Sequence, residues 1–220
     1  MKFKKIIAVI SLFISGGLAL STTAFAQTAN IIEAGQGEVA VIGGISISDT
    51  TGNYEDASVK YGGSGYILGL NMLMYPSKYI GLGLDVSYAD NGNGDSFKLS
   101  DVSSSLATQH ITPMFFAKLQ PMANLPFRLY IPLGIGFDFM TVSLQQDNVD
   151  EKETDTTAGL ALMAGLGFEV DVAPDAFIGA EARYIYTDLF SRNKYSIKSA
   201  DNFVIAFRAG VRFTPDNFWD

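Results

Sequence analysis

Residues 79–89 have the sequence YIGLGLDVSYA, and this stretch decides the fold. Its large apolar side chains occupy every second position, and glycine, aspartate, serine or alanine fills the positions between them. A period of two over this length is typical of a β-strand with one apolar face and one small, polar face. At about 3.3 Å per residue the strand spans more than about 30 Å, which suits a tilted crossing of a bilayer. The stretch therefore predicts a transmembrane β-barrel.

The same alternation recurs along the chain and predicts eight strands. They lie at residues 38–48, 66–74, 79–89, 105–119, 127–139, 160–171, 178–186 and 203–213. Pro132 falls within the fifth strand and predicts a bulge or a kink, because proline cannot donate to the ladder. Eight strands with their connections account for the roughly 190 residues after residue 26. The expected fold class is all-β, an antiparallel up-and-down eight-stranded transmembrane barrel over residues 38–214.

The connections between these strands are of two alternating kinds. Three are short, at residues 76–78, 121–126 and 173–175, and four are long and polar, at residues 49–65, 90–103, 144–156 and 188–201. In outer-membrane barrels the short turns face the periplasm and the long loops face outside. We therefore expect both chain termini on the periplasmic side.

The two ends of the chain fall outside the predicted barrel. In residues 1–26, Lys2, Lys4 and Lys5 precede an apolar run that ends in small residues around Ala26. These features predict a cleaved secretory signal peptide, and the apolar run is short for the alternative, a membrane-spanning anchor. Residues 27–37 would then form a periplasmic lead-in, and residues 215–220 a C-terminal extension.

Composition restricts the classes of partner. The chain has 15 basic and 23 acidic residues, and loss of residues 1–26 removes three lysines and no acid, which changes the net charge from −8 to −11. This charge opposes nucleic acid as a partner. The chain has no cysteine, which excludes disulfides, thiolate metal sites and lipid attachment through cysteine. We expect no cofactor and no bound metal.

Aromatic side chains on the apolar face are predicted to form two girdles at the headgroup layers. The loop-end girdle comprises Tyr66, Tyr88, Phe137, Phe139, Tyr184, Tyr186 and Phe203, and the turn-end girdle comprises Phe115, Phe127, Phe168 and Phe213. The opposite face is rich in glycine, alanine and serine, which suits a crowded lumen. A lipocalin-like soluble barrel would instead need an exterior rich in lysine, glutamate and threonine.

Charged side chains of both signs share the inward face. They are Asp85, His110, Lys118, Arg128, Asp138, Glu169, Asp171, Glu181, Arg183, Arg208 and Arg212. An isolated buried charge is costly, so these groups must pair or be hydrated. We expect a salt-bridged network in which the arginines of the last two strands meet carboxylates of strands five to seven. The alternative is a pore lining, since eight strands leave room for side chains or one small ligand.

Three segments could carry chemistry or bind a metal. His110 is the single histidine, and no serine or aspartate stands at a recognisable catalytic spacing from it, so we predict a hydrogen-bonded lumen residue. Residues 90–95, DNGNGD, faintly resemble a calcium loop but lack its terminal glutamate. The acidic segment around Glu151 and Glu153 could bind divalent cations, yet charge runs are usually solvated. We expect residues 90–95 and the acidic segment to be flexible surface loops.

The strand pattern resembles the small eight-stranded outer-membrane barrels of the OmpA, OmpX and OmpW type, including porin-family and opacity-type surface proteins. The resemblance covers nearly all of the chain after residue 26 and rests on pattern, with no family-specific motif. It implies location in the outer membrane, lipopolysaccharide and lipid as partners, insertion by the barrel-assembly machinery, and a monomer. The usual terminal aromatic residue is displaced here, because seven residues follow Phe213, and Phe218 and Trp219 are its nearest substitutes.

The expected function is non-enzymatic, a structural or surface-interaction role carried by extracellular loops. A narrow porin-like channel for ions or small solutes is the first alternative, and discrete conductance steps would support it. A soluble lipid-binding periplasmic barrel and a lipid-modifying barrel enzyme rank below these two. Changed lipid A or phospholipid profiles would support the enzyme.

Overall fold

The computed structural model describes residues 32–48, 50–54, 57–94, 97–99, 102–122, 125, 127–146, 153–190, 197 and 199–214. The predicted signal peptide, residues 27–31, the centre of the acidic loop and the C-terminal extension lie outside these residues. The strands are β1 (Gly37–Ser48), β2 (Thr50–Tyr54), β3 (Ala57–Tyr61), β4 (Ser64–Ser77), β5 (Ile80–Asn93), β6 (Phe97–Leu99), β7 (Val102–Leu119), β8 (Phe127–Gln146), β9 (Glu153–Ala173), β10 (Ala176–Leu189) and β11 (Ser199–Phe213). This part of the chain contains no helix that is long and apolar enough to cross a membrane.

Eight of the strands form one closed antiparallel barrel, which confirms the predicted fold class. Around the wall the order is β1, β4, β5, β7, β8, β9, β10 and β11, and β11 pairs back to β1. This closing seam runs from Gly37 opposite Phe213 to Ser48 opposite Asn202. Closure satisfies the backbone hydrogen bonds of both terminal strands, as a wall surrounded by hydrocarbon requires.

The two faces of the wall differ as the alternation predicts. On β1, Val41 and Ile45 are 59% and 56% exposed, whereas Ile42 between them is 3% exposed. Large exposed apolar side chains recur on all eight barrel strands. If this face met water, each of these side chains would lose about 1.5–3 kcal/mol of favourable burial free energy. An outward apolar face of this extent is stable only against hydrocarbon, which argues against the soluble barrel.

Several strands extend farther at the loop end than the sequence predicts. β8 continues to Gln146 and β9 begins at Glu153, so most of the predicted loop at 144–156 is strand. The outward side chains of these extensions are polar, for example Thr141 and Thr156. The alternation continues on β8 with the opposite parity, because Met140, Val142 and Leu144 point inward, and the lipid-facing pattern therefore ends at Phe139. The wall of β7, β8 and β9 therefore projects beyond the aromatic girdle.

Other predicted connections also differ from the structure. The loop predicted at 188–201 is shorter, because β10 ends at Leu189 and β11 begins at Ser199. Residues 49–65 contain the β2–β3 hairpin, in which Thr50 lies opposite Tyr61. The calcium-like segment is no flexible loop, because residues 90–93 belong to β5. The first short turn consists of Lys78 and Tyr79, since residues 76 and 77 still belong to β4. In each case local pairing continues through residues whose types favour turns.

Pro132 does not produce a bulge. The β8–β9 register is the same at Tyr130 and at Leu133, and only the two pairs between them are absent. Pro113 interrupts the β7–β8 seam in the same way, again with no inserted residue. Each proline removes one backbone donor, so the ladder opens locally while the alternation of faces is preserved.

Two pairs of outward aromatic rings mark the two ends of the barrel wall. The Tyr66 and Tyr88 rings lie 6.1 Å apart near the loop end. The Phe127 and Phe168 rings lie 5.5 Å apart near the turn end. The pattern assigns Phe115 to the turn-end girdle, but it pairs with Leu84 and Ile135 in the middle of the wall. It faces the hydrocarbon interior, because β7 continues beyond it to residue 119.

The segment before β1 closes the turn end of the barrel. Gly35 N donates to Tyr75 O at 2.7 Å, and Tyr75 N donates to Gln36 O at 2.9 Å. Gly35 has a φ of 92°, which reverses the chain direction at that point. Ile32 is consequently 1% exposed and packs in the same apolar cluster as Tyr75. Ile32 of the predicted lead-in is thus part of the barrel core, whereas residues 33–35 are exposed.

Candidate functional site

The inward-facing charged side chains are the candidate site, and the structure places all eleven of the predicted residues inside the barrel. Each is at most 8% exposed. They do not form one continuous set. A large cluster lies at the turn end, a smaller one follows it along the lumen, and the pair His110 and Asp138 lies nearer the loop end.

Glu38, the second residue of β1, is the centre of the turn-end cluster. Its carboxylate accepts hydrogen bonds from Lys118 Nζ at 3.0 Å, Arg208 Nη2 at 2.8 Å and Tyr75 Oη at 2.7 Å. Arg212 Nε lies 3.4 Å from it. β1 lies next to both β4 and β11, so this position reaches Tyr75 on one side and the two arginines on the other.

Glu169 and Asp171 on β9 complete the turn-end cluster. Glu169 accepts from Lys118 Nζ at 2.6 Å, from Arg212 Nη2 at 2.6 Å and from Arg128 Nε at 3.2 Å. Asp171 accepts from Arg212 Nη1 at 2.6 Å and also pairs with Arg128. Two carboxylates on one strand, two residues apart, therefore share the same two guanidinium groups. Such charge-assisted bonds are the stronger kind of hydrogen bond.

Aromatic rings fill the space around these cations. Lys118 Nζ lies 4.9 Å from the Tyr130 ring centroid and 5.3 Å from that of Phe177. The guanidinium of Arg212 lies 4.4 Å from the Phe177 ring. Arg208 lies 5.2 Å from both rings. Ring faces stabilise desolvated cations, so they compensate part of the hydration that burial removes.

The smaller cluster joins three strands. Arg183 Nη1 donates to Asp85 Oδ2 at 2.9 Å, and Arg183 Nη2 lies 2.5 Å from Glu181 Oε1. Asn71 also donates to Asp85. Tyr130 Oη donates to Glu181 Oε2 at 2.9 Å, and Tyr130 also contacts Arg208 of the turn-end cluster. The two clusters are therefore in contact through one ring.

Together the two clusters are electrically balanced. The acids are Glu38, Asp85, Glu169, Asp171 and Glu181, and the bases are Lys118, Arg128, Arg183, Arg208 and Arg212. Each cation has at least one carboxylate partner. Removal of a charge from water costs several kcal/mol, which pairing recovers only when the hydrogen bonds are satisfied. The five acids therefore offset the five bases, and all ten side chains are at most 8% exposed.

His110 and Asp138 form a separate polar group. Nδ1 of His110 lies 2.8 Å from Asp138 Oδ2, and the hydroxyls of Thr112 and Thr187 donate to the same carboxylate at 3.0 Å. Sequence spacing alone does not identify Asp138 as the partner of His110. The pairing of β7 with β8 brings the two side chains together. His110 is 1% exposed, so a substrate in the membrane or in water has no access to it.

Buried apolar side chains lie between and beside the polar groups along the lumen. The inward side chains of β7 show the order: Lys118 at the turn end, then Phe116 and Met114, then His110, then Leu106. Phe116 and Met114 belong to one buried apolar cluster, which also includes Ile42, Ile67, Leu73, Met163 and Val204. Leu106 belongs to a second, with Tyr61, Met140, Val142, Leu144, Ile197 and Ala200. A water-filled pore would leave its lining exposed, whereas these side chains are at most 5% exposed.

The expectation for the arginines holds only in part. Arg208 and Arg212 do meet Glu169 of β9, the sixth barrel strand. Arg183 meets Glu181 of β10, the seventh barrel strand, and also pairs with Asp85 of β5, the third, which lies outside the expected set. Asp138 is expected among the arginine partners, but it binds His110. The pairing crosses the lumen, and the order of strands around the wall does not determine which side chains meet across it.

The predicted set of polar lumen residues lacks Glu38, Tyr75, Tyr130 and Thr187. The alternation alone is enough to find Glu38, because it has the same parity as the inward Ala40 on β1. Residue type alone does not assign Tyr75 and Tyr130 to the lumen, since tyrosine is also common in an aromatic girdle. Their burial, 0% exposed in both cases, assigns them to the interior.

Comparison with known proteins identifies the family. The family model described as outer membrane protein beta-barrel domain matches residues 16–213. Among solved structures, a major outer membrane protein of Thermus thermophilus is 13% identical, with 80% of this chain and 99% of that chain covered and a TM-score of 0.52. This likeness shows the fold alone.

Two further matches to solved structures are weaker. Ail of Yersinia pestis is 19% identical, with coverages of 83% and 100% and a TM-score of 0.48. OprG of Pseudomonas aeruginosa is 14% identical, with coverages of 82% and 98% and a TM-score of 0.47. No curated protein matches the chain in sequence. The family match spans most of the chain and agrees with the closed wall and its apolar exterior, so the chain belongs to the outer membrane protein β-barrel family.

Proposed function

We propose that this protein is a closed, non-enzymatic surface protein that acts through the loop end of its barrel. The observation that carries the proposal is the filled lumen. Charged clusters, apolar side chains and the His110–Asp138 pair fill it, and these side chains are almost fully buried. A barrel that neither conducts solutes nor exposes a catalytic group would act through its outer surface.

The shape of the wall supports the same role. β8 and β9 continue beyond the girdle as a paired hairpin extension, from Phe139 opposite Ala158 to Leu144 opposite Glu153. Its inner face packs against Leu106 and Ile197 in a buried apolar cluster. Strand pairing with a core behind it holds a protruding surface rigid, which lowers the entropic cost of binding. With the loop end outside, as the connection lengths predict, this surface faces the environment.

A conductance experiment separates this proposal from the channel alternative. Purified protein in planar bilayers is expected to give no discrete current steps, while a general porin in the same bilayer serves as positive control. Regular steps of uniform size would refute the closed lumen and favour the channel.

A binding experiment tests the surface role itself. In the test variant, residues 143–154 are replaced by Asn-Gly, which joins Val142 to Asp155, a pair already opposed in the ladder. Cells displaying the wild-type barrel are expected to attach several-fold better than vector-only cells to an immobilised extracellular-matrix protein or an epithelial monolayer. The shortened variant should lose most of this gain while keeping its heat-modifiable gel shift. Equal attachment of wild-type and vector-only cells would contradict the proposal.

A further inference from the structure

The segment Asn91-Gly92-Asn93-Gly94 at the end of β5 places two asparagines directly before glycines. Asparagine cyclises readily in this dipeptide, because glycine has no side chain to hinder its own backbone nitrogen. In that reaction the glycine nitrogen loses its proton and attacks the side-chain amide carbon of asparagine, a C–N bond forms, and ammonia leaves. Water then opens the resulting succinimide at either carbonyl, which gives aspartate or isoaspartate. Water is the single co-reactant, and no electron is transferred.

A β-bulge places the two asparagines in different environments. The register of β5 against β7 shifts between Asp90 and Asn93. Asn91 and Gly92 together take the place of one residue there, and Gly92 has a φ of 60°, which glycine adopts without strain. Asn91 is consequently turned into the lumen and is 0% exposed, whereas Asn93 is exposed. One short motif therefore provides a buried amide and an exposed one.

The folded barrel restrains the atoms that would react at Asn91. Gly92 N, the nucleophile, donates a hydrogen bond to Asp90 Oδ1 at 2.9 Å. Asn91 Nδ2, which would leave as ammonia, donates to Asn202 Oδ1 at 2.8 Å. Cyclisation requires the side chain to fold back onto Gly92 N, and this movement would break the hydrogen bond to β11. The reaction at Asn91 is therefore blocked for as long as β5 and β11 stay in place.

An aspartate at position 91 does not fit the interior of the folded barrel. Asn91 Oδ1 is buried and has no hydrogen-bond partner among the described residues. Ala89 lies opposite His110, whose imidazole already pairs with Asp138. The lysine and the four arginines of the lumen pair with acids of the two charged clusters. A carboxylate at position 91 would thus be a second anion near the loop end, and burial of a charge without a cation is strongly unfavourable.

Isoaspartate disturbs the wall in a second way. Its main chain runs through the former side-chain carbon, so the backbone of β5 gains one atom. Asn93 would then no longer lie opposite Ala107, and the register of the strand end would change. Aspartate therefore opposes the folded state by its charge, and isoaspartate opposes it by charge and register together.

We propose that Asn91 is a modification site that the folded barrel protects and the unfolded chain exposes, and that its deamidation prevents the barrel from forming. A chain that stays unfolded long enough to lose this amide is thus excluded from the folded population. At Asn93 the same reaction leaves a hydrated carboxylate, so folding tolerates it. The inference rests on the packing of the lumen alone and is independent of the proposed surface role.

The first test compares deamidation in the folded and the unfolded chain. Purified protein folded in lipid vesicles, and the same protein held unfolded in urea, are incubated at mildly alkaline pH for equal times. Peptide mass spectrometry then measures the sum of aspartate and isoaspartate at position 91. The reaction is expected to be at least about tenfold slower in the folded barrel, because it requires local opening of β5. Equal rates in the two states would overturn the protection of Asn91.

The second test determines which of the incubated chains can still fold. The unfolded sample is diluted out of urea into vesicles, heat-modifiable gel migration separates folded from unfolded chains, and both bands are analysed by mass spectrometry. Modification at position 91 is expected to be several-fold enriched in the unfolded band, whereas modification at position 93 should be divided equally between the bands. Equal division at position 91, or equal enrichment at both positions, would refute the role of burial.

Two variants separate the charge from the rest of the chemistry. Asn91→Asp introduces the buried carboxylate without a changed main chain and should lower the folded fraction several-fold. Asn93→Asp introduces the same charge at the exposed position and is the matched control, which should fold like the wild type. A folded fraction of Asn91→Asp equal to that of Asn93→Asp would contradict the proposal, because the lumen would then accept the anion.

Discussion

Glu38→Gln is the substitution that tests the lumen network most directly. The change keeps the size of the side chain but removes the negative charge on which Lys118, Arg208 and Arg212 converge. It also leaves the lumen clusters with one cation in excess. Removal of one partner from a buried ion pair typically costs about 3–5 kcal/mol, because the remaining charge stays desolvated.

The distances indicate which cation loses most. Lys118 keeps Glu169 at 2.6 Å, and Arg212 keeps both Glu169 and Asp171 at 2.6 Å. Arg208 keeps only Glu169, at 3.9 Å, in addition to its ring contacts. Most of the cost should therefore arise at Arg208. The double variant Glu38→Gln, Arg208→Met restores charge balance and should recover about half of the loss or more, as observed when whole buried pairs are replaced by apolar groups.

Urea unfolding from lipid vesicles, followed by heat-modifiable gel migration, measures these free energies. Asp90→Asn, which changes a half-exposed carboxylate on the outer surface, is the matched control and should change the free energy of unfolding by less than about 1 kcal/mol. A loss below about 1 kcal/mol for Glu38→Gln, or a double variant no more stable than the single one, would refute the charge-balance argument. Either result would mean that water already hydrates the network.

Three further substitutions test other parts of the structure by the same unfolding assay. Leu84→Arg places a cation in the middle of the lipid face and should cost about 2–4 kcal/mol, whereas a loss below about 1 kcal/mol would place that face in water. Ile32→Asp should cost at least about 2 kcal/mol because it removes a buried side chain from the turn end, whereas a freely solvated lead-in would tolerate it. Asp138→Ala should cost about 1–3 kcal/mol because it leaves the donors of Thr112 and Thr187 unsatisfied, and a stability equal to that of the wild type would contradict the buried hydrogen bonds.

The barrel itself was predictable because its solvent is hydrocarbon. Residues such as Leu82, Leu84 and Val86 alternate with small residues over a whole membrane span, and few other structures require that pattern. The strand extensions were not predictable in this way. Beyond Phe139 the apolar residues of β8 change faces. Met140, Val142 and Leu144 point inward and Thr141 points outward, so a search for apolar residues on the lipid-facing positions ends at Phe139.

The candidate site was predictable in membership but not in pairing. Parity along each strand assigns Asp85, Lys118 or Arg208 to the lumen without further information. The partner of each depends on strand tilt and on side-chain length across the lumen, which the sequence pattern does not contain. Arg183 therefore reaches Asp85, and Asp138 reaches His110, at positions that no spacing rule indicates.

The closing seam determines when the barrel can become stable. Gly37 and Phe213 are partners, so the first and last barrel strands meet only after the whole chain is available. Contacts between residues so distant in sequence make folding slow, because the entropy of closing a long loop is lost before the contact forms. Loss of β11 would leave β1 and β10 as two open edges in hydrocarbon and would remove Arg208 and Arg212, two of the cations that pair with Glu38. Truncation within the last strand should therefore abolish the barrel as a whole, with no stable seven-stranded remainder.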